Sequence, residues 1–88
     1  MDIKDLRAFY AVVEEGNISH AALRLNATQS VISRQMKRLE ENLGVRLFER
    51  GNRQIRLTDA GKAFYLRTES ILGLLDGAMD ELQDIEGG

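Results

Sequence analysis

The segment from Thr28 to Gly44 constrains the fold most, because it predicts a helix with two chemically different faces. Thr28 is a favourable N-cap residue, and Gly44 is a typical helix stop. At about 100° between successive residues, the apolar residues fall in one narrow sector and most polar residues fall nearly opposite. The apolar sector holds Ile32, Met36, Leu39 and Leu43, and the opposite sector holds Ser30, Ser33, Arg34, Lys37 and Glu41. One face should pack against a core, and the other should meet solvent or a partner.

A short helix precedes this segment, with Ser19 as its candidate N-cap. We expect it to run from about His20 to Leu25 and to end near Asn26, only two residues before Thr28. Two helices joined by such a tight turn, the second with a polar and basic N-terminal half, form the arrangement that fits the DNA major groove. The sequence therefore predicts a helix-turn-helix over about residues 18–37.

The flanking segments complete a mainly α fold. Asp2 can cap a first helix from about Ile3 to Glu15, which Gly16 would end. Two short β-prone runs on either side of a Gly-Asn turn predict a hairpin wing at about 45–57. Thr58 can cap a last, long helix. We predict a winged helix-turn-helix domain over 1–58, with a three-helix core and a short β-hairpin wing, followed by a linker helix over 59–86.

The last helix carries a regular apolar pattern. From Thr68 onward, apolar residues alternate steps of three and four, which is the a/d seam of a coiled coil. We predict dimerisation through this seam, with an interface made of Ile71, Leu72, Leu75, Ala78, Met79, Leu82 and Ile85. The alternative is that the seam packs back on the chain's own core, as the apolar stripe of a short amphipathic helix usually does.

The charge of the chain is unevenly distributed. The net charge is −2 over 88 residues. Residues 1–57 contain ten Lys/Arg and seven Asp/Glu, a balance of +3, whereas residues 58–88 contain two Lys/Arg and seven Asp/Glu, a balance of −5. A local basic patch matters more to a polyanion than the charge of the whole chain. The predicted helix-turn-helix and wing are therefore the candidate nucleic-acid surface.

The composition argues against several other classes of protein. Cys is absent and there is one His, so we expect no disulfide, no metal and no cofactor. Ser19 and His20 are neighbours on a helix and cannot face each other, and no acid pair or phosphate-cradling glycine loop occurs, so we expect no enzyme. The N-terminus lacks the features of a secretory signal, and no apolar run is long enough to span a membrane. We expect a cytoplasmic, nucleoid-associated protein.

Individual side chains on the polar face suit base and phosphate contacts. Gln29 and Ser33 lie one turn apart and can reach base edges, where glutamine recognises adenine and arginine recognises guanine. Arg34 and Lys37 suit bases or phosphates. At the wing tip, Arg50 and Arg53 suit a narrow minor groove or its phosphates. For Glu40 and Glu41 we expect only a solvated face, because carboxylates repel phosphate. A competing hypothesis is a winged-helix module whose exposed helix binds protein.

Several separated motifs resemble, in order and spacing, the N-terminal domain of LysR-type transcriptional regulators. They are Phe9-Tyr10-Ala11-Val12-Val13-Glu14-Glu15-Gly16-Asn17-Ile18-Ser19, Ala21-Ala22, Leu25, Gln29, Ile32-Ser33-Arg34-Gln35, Leu39-Glu40, Leu43-Gly44-Val45-Arg46-Leu47-Phe48-Glu49-Arg50 and Leu57-Thr58-Asp59-Ala60-Gly61. The resemblance covers nearly the whole chain. It implies a winged helix-turn-helix and a linker helix that pairs with a second copy.

The resemblance also implies function. Members of this family bind an interrupted palindrome in promoter DNA as dimers or tetramers, and a C-terminal domain senses a small-molecule inducer. That domain would be absent here, and the chain would be a piece of a longer regulator that ends near a hinge at Gly87-Gly88. The residues that match the groove-facing positions are Gln29, Ser30, Ser33, Arg34 and Lys37, with Ser19 and Thr28 as phosphate contacts and Arg50 and Arg53 as wing contacts. Ser30 stands where the family often has proline, so a hydroxyl and a backbone N–H replace the proline ring that would contact a thymine methyl group.

Overall fold

The computed structural model describes residues 1–51 and 54–87, and this part of the chain contains four helices. They are α1 (Ile3–Glu15), α2 (Ile18–Arg24), α3 (Gln29–Leu43) and α4 (Asp59–Gly87). The predicted mainly α fold is confirmed. Among these helices none is both long and apolar enough to cross a membrane.

Local capping sets the ends of α1 and α3 where the sequence predicts them. The Asp2 side chain accepts a hydrogen bond from the backbone N–H of Asp5, and the Asp5 carboxylate accepts one from the N–H of Asp2, which forms a capping box. At the start of α3, Thr28 Oγ1 accepts from the N–H of Val31 at 3.2 Å. Gly16 and Gly44 end these helices with φ of 69° and 71°, a left-handed conformation that favours glycine.

The predicted N-cap of α2 is wrong. Asn17, in extended conformation, is the cap, and its Oδ1 accepts from the N–H of His20 at 3.0 Å. Asn and Ser are comparable N-caps, and the helix begins at the earlier of the two candidates. Ser19 therefore lies inside the first turn of α2.

The turn between α2 and α3 is as tight as the sequence predicts. Asn26 adopts a left-handed conformation, with φ of 56°. The N–H of Ala27 then donates to the carbonyl oxygen of Ala22 at 2.9 Å, which closes the end of α2. The chain reaches Thr28 directly afterwards and enters α3.

Phe9 of α1 is the centre of the core. It is fully buried, and its ring lies 5.6 Å from the ring of Phe48 and 5.3 Å from that of Phe64. Ile32, Met36 and Leu39 of α3 are also buried. The apolar face predicted for α3 is thus the face that packs against the rest of the domain.

The wing is joined to the core at its base. Phe48 and Leu57 form an isolated antiparallel bridge, and the N–H of Glu49 donates to the carbonyl oxygen of Arg56 at 2.8 Å. The two arms of the predicted hairpin therefore meet in register at this point. The predicted turn residues Asn52 and Arg53 lie outside the described residues.

Helix α4 packs on α1 mainly over its first half. The rings of Tyr10 and Tyr65 stack 5.4 Å apart, and Arg7 forms an ion pair with Asp76 at 2.9 Å. Thr68 and Leu72 are buried on this side of the helix. From residue 73 to residue 87 no side chain is buried.

Candidate nucleic-acid interface

The polar face of α3 is exposed along its N-terminal three turns. All five groove-facing residues that the sequence predicts are exposed: Gln29, Ser30, Ser33, Arg34 and Lys37. Because side chains three and four residues apart are neighbours on a helix, the structure brings these five residues to one surface. Amide, hydroxyl, guanidinium and ammonium groups are together able to donate to base edges and phosphates.

The start of α3 adds backbone donors to this surface. The first N–H groups of a helix lack intrahelical partners and carry partial positive charge, so they favour an anion such as phosphate. The exposed Thr28 accepts from Val31 through its hydroxyl oxygen, which leaves the hydroxyl proton to donate elsewhere. Ser19 lies half-buried in the first turn of α2.

The cations of the domain divide into paired and unpaired groups. Arg7, Arg24 and Arg38 make the ion pairs found within residues 1–51 and 54–87, and these lie on α1, α2 and the outer edge of α3. In that same part of the chain, the other exposed cations of α3 and the wing make no ion pair with a carboxylate: Arg34, Lys37, Arg46, Arg50 and Arg56. The surface of α3 and the wing therefore carries several cations that are free to meet an anion.

An ion pair between a buried carboxylate and an exposed guanidinium joins α3 to α1. Asp5 is 1% exposed, and its Oδ1 accepts from Arg38 Nη2 at 2.7 Å. Burial would raise the pKa of Asp5, but the hydrogen bonds from Arg38 and from the backbone of Asp2 outweigh it and lower that pKa. The carboxylate thus stays ionised and holds the two helices together. Nothing in the sequence signals a contact between residues so far apart.

The base of the wing contains a side-chain contact that the sequence analysis missed. Glu40 is half-buried, and its Oε2 accepts from the N–H of Leu47 at 2.7 Å and from that of Phe48 at 3.3 Å. The expectation of a merely solvated Glu40 is wrong, because the chain folds back after Gly44 and brings two backbone donors to the carboxylate. Glu41 is exposed, as expected.

The other arm of the wing is attached to α4. Thr58 Oγ1 donates to the carbonyl oxygen of Arg46 at 2.6 Å and accepts from the N–H of Gly61 at 3.0 Å. Gly61 leaves no room for a side chain, because a Cβ there would lie 2.1 Å from the carbonyl oxygen of Leu47. Arg50 is exposed beyond this base, and Arg53 lies outside the described residues.

A cleft of about 380 Å³ between α1, α2 and α4 is not suited to an anion. Its cations are occupied, since Arg7 pairs with Asp76 and Arg24 pairs with Glu14 and Glu15. A hydrogen bond with Glu14, together with burial, raises the pKa of Tyr10 to about 12, so this phenol is neutral at physiological pH.

Within the described residues, no three acidic or imidazole side chains cluster closely enough to hold a metal ion.

The predicted dimer seam is only partly available to a partner. Leu72 is 7% exposed, because it faces the side of α4 that packs on α1. Leu74, which the predicted set omits, is 77% exposed. The other residues of the predicted seam are half-buried or exposed: Ile71, Leu75, Ala78, Met79, Leu82 and Ile85. The accessible apolar stripe is thus rotated slightly away from the predicted one.

Comparison with known proteins identifies the family. Residues 3–62 match the bacterial regulatory helix-turn-helix proteins of the lysR family. The chain belongs to the LysR family. The regulator BudR of Klebsiella aerogenes is 42% identical over 88 residues, which are 100% of this chain and 62% of BudR. The chain therefore spans less than two thirds of that relative's length.

Two solved structures of family members in complex with DNA have the same fold. The BenM DNA-binding domain with benA site 1 DNA is 39% identical, with a TM-score of 0.94 over 100% of this chain and 99% of that chain. The CbnR DNA-binding domain with DNA is 43% identical, with a TM-score of 0.89 over 98% of this chain and 99% of that chain. The likeness extends through α4 and is not confined to the helix-turn-helix.

Proposed function

We propose that this LysR-type domain binds double-stranded DNA sequence-specifically and controls transcription, with α3 in the major groove. The observation that carries the proposal is the exposed polar face of α3, on which Arg34 and Lys37 have no ion-pair partner in the part of the chain that the structure describes. Similar domains in BenM and CbnR have been crystallised with DNA, which supports the same partner here.

The side chains divide by chemistry into base and phosphate contacts. Gln29, Ser33 and Arg34 offer the donors and acceptors that distinguish base edges in the major groove. Ser30 and Lys37 extend the same face. The phosphate contacts are assigned to Ser19 and Thr28 at two helix starts, and the wing contacts to Arg50 and Arg53.

The second half of α4 is proposed to pair with a second copy of the chain. Its exposed apolar side chains would otherwise remain in water. We assign the interface to the predicted seam without Leu72 and with Leu74 added: Ile71, Leu74, Leu75, Ala78, Met79, Leu82 and Ile85.

The charges of α4 differ between its two halves. The second half has five acidic and no basic residues from Asp76 to Glu86, whereas Lys62 and Arg67 lie in the first half. Antiparallel pairing is favoured, since a parallel pair would bring two acidic ends together.

The whole protein is proposed to be a longer regulator. In it residues 1–58 form the DNA-binding domain and 59–86 the linker helix. Dimers or tetramers would bind an interrupted palindrome in a promoter, and a C-terminal domain would sense a small-molecule inducer. The proposed location is the cytoplasm, in association with the nucleoid.

The test is a binding series against salt on a duplex that the chain enriches from a random pool. Affinity should fall steeply with salt, by roughly 0.9 logarithmic units per logarithmic unit of salt for each phosphate neutralised. Arg34→Ala should weaken binding by about 1–3 kcal/mol and relax base preference at one position. If no duplex binds in a salt-sensitive way, the competing hypothesis of a protein-interaction module is favoured instead.

A further inference from the structure

The backbone of Leu47 is held from two sides. Its N–H donates to the Glu40 carboxylate of α3, and its carbonyl oxygen accepts from the N–H of Thr58 at 3.0 Å. The side chain of Leu47 is fully buried, and Gly61 of α4 approaches its carbonyl oxygen with no room for a Cβ. The first arm of the wing is therefore fixed at its base both to α3 and to the start of α4.

The acceptor on the α3 side, Glu40, carries a negative charge at a position where that charge is otherwise unfavourable. Glu40 lies in the last turn of α3, where the helix dipole disfavours an anion. It also lines an open cleft with Lys37, Arg46 and Arg50, on the side of the domain proposed to face DNA. A carboxylate there weakens phosphate binding, so its contribution must come from the backbone N–H groups that it accepts.

We infer that Glu40 is a positioning residue, which sets the wing arginine Arg50 relative to the groove-facing side of α3. This inference rests on the proposed DNA binding and names a residue through which that binding is tuned. Glu40 belongs to α3 by its backbone and to the wing by its side chain, so it couples the two DNA contacts. Without this acceptor, the first arm loses its hydrogen bonds to α3 and keeps its hydrogen bond to Thr58, its bridge to Leu57 and its apolar packing on the core.

The test is a double-mutant cycle on DNA affinity, measured on the duplex enriched by the wild-type chain. Glu40→Ala should weaken binding about tenfold, because two hydrogen bonds to a charged acceptor are lost. In an Arg50→Ala background the same substitution should change affinity less than about twofold, since the positioned side chain is already gone. In an Arg34→Ala background it should again cost about tenfold, because Arg34 does not act through the wing.

Two further variants separate positioning from charge. Glu40→Gln keeps a carbonyl oxygen that accepts from both N–H groups, so it should bind within about threefold of wild type. Glu41→Ala removes the same charge from the neighbouring exposed position and should bind as tightly as wild type or more tightly. The inference is overturned if Glu40→Ala binds as well as wild type, or if its loss is the same with and without Arg50.

Hydrogen exchange gives a readout that does not require DNA. The amides of Leu47 and Phe48 should exchange at least about tenfold faster in Glu40→Ala than in Glu40→Gln or Glu41→Ala. Unchanged exchange in Glu40→Ala would show that the Glu40 carboxylate does not protect these two amides, and it would overturn the inference. If the wild-type chain binds no duplex while these amides exchange as expected, the proposed function fails, but the hydrogen bonds from the wing to Glu40 are confirmed.

Discussion

The two halves of α4 belong to one continuous helix but have opposite relations to the domain. Over residues 59–72 the helix is part of the core, with Gly61, Thr68 and Leu72 buried against the wing base and α1. Over residues 73–87 nothing is buried, and Leu82 and Ile85 are 63% and 71% exposed. Among the described residues, the ion pair between Arg7 and Asp76 is the most C-terminal ion pair that joins α4 to the rest of the domain.

This difference shows that one regular apolar pattern can be buried in its own domain over one part of a helix and exposed over the other. The alternative in which the seam packs back on its own core holds for Thr68 and Leu72. For the second half, the exposed stripe is the basis of the proposed dimer. The helix thus completes its own domain with one half and is proposed to recruit a second domain with the other.

The largest effect is expected from a charge placed in the exposed half. Leu82→Glu, alone or with Leu75→Glu, should weaken dimerisation by roughly 3 kcal/mol or more, because each protomer loses a buried leucine and gains an anion. Sedimentation equilibrium measures this change. The unfolding temperature of the Leu82→Glu monomer should change little, since Leu82 is exposed in the half of α4 in which no side chain is buried.

Gln83→Glu is the matched control for Leu82→Glu. It adds the same charge one residue further along, about 100° around the helix from Leu82 and outside the apolar stripe. The control should dimerise within about twofold of wild type. Equal weakening by both variants would mean that net charge, not the apolar stripe, governs association.

Alanine at glycines in the two halves should have effects of opposite sign. Gly61→Ala should destabilise the fold by about 2–3 kcal/mol, because the new Cβ meets the carbonyl oxygen of Leu47. Gly73→Ala meets nothing within 4 Å and should stabilise α4 by up to about 1 kcal/mol, through helix propensity. Chemical denaturation of both variants tests the contrast, which fails if the two changes have the same sign.

The smallest effect is expected at Thr68, in the packed half. Its hydroxyl is buried, and no hydrogen-bond partner for it occurs in the part of the chain that the structure describes. Thr68→Val keeps the shape and removes the unsatisfied polar atom, so the free energy of unfolding should rise by about 1 kcal/mol. Ser70→Val is an exposed comparison, for which we expect a change within about 0.5 kcal/mol. A loss of stability in Thr68→Val would show that the hydroxyl has a partner.

The sequence predicts those features of the fold that depend on neighbouring residues. The bounds of α1 and α3 follow from Asp2, Gly16, Thr28 and Gly44, which act on the adjacent turn. The start of α2 is misplaced because Asn17 and Ser19 are both good caps two residues apart. The exposed face of α3 follows from helical periodicity alone.

Long-range contacts could not be predicted in the same way. Two such contacts are the ion pair of Asp5 with Arg38 and the hydrogen bond from Leu47 to Glu40. Both depend on how the helices and the wing pack. The seam of α4 is misjudged at Leu72 because this residue lies about 100° from Ile71 on the helix, on the side that packs against α1. Over the first half of α4, Thr68 and Leu72 therefore face the chain's own core, whereas Ile71 is exposed.

The most direct test of the account is the number of chains bound per duplex. We expect sedimentation of the wild-type chain on its enriched duplex to show two chains per palindrome. The variant with Leu75→Glu and Leu82→Glu should bind that duplex no more tightly than a single half-site. One wild-type chain per palindrome, or undiminished palindrome binding by the variant, would contradict the account in which α3 recognises DNA and the second half of α4 pairs two copies.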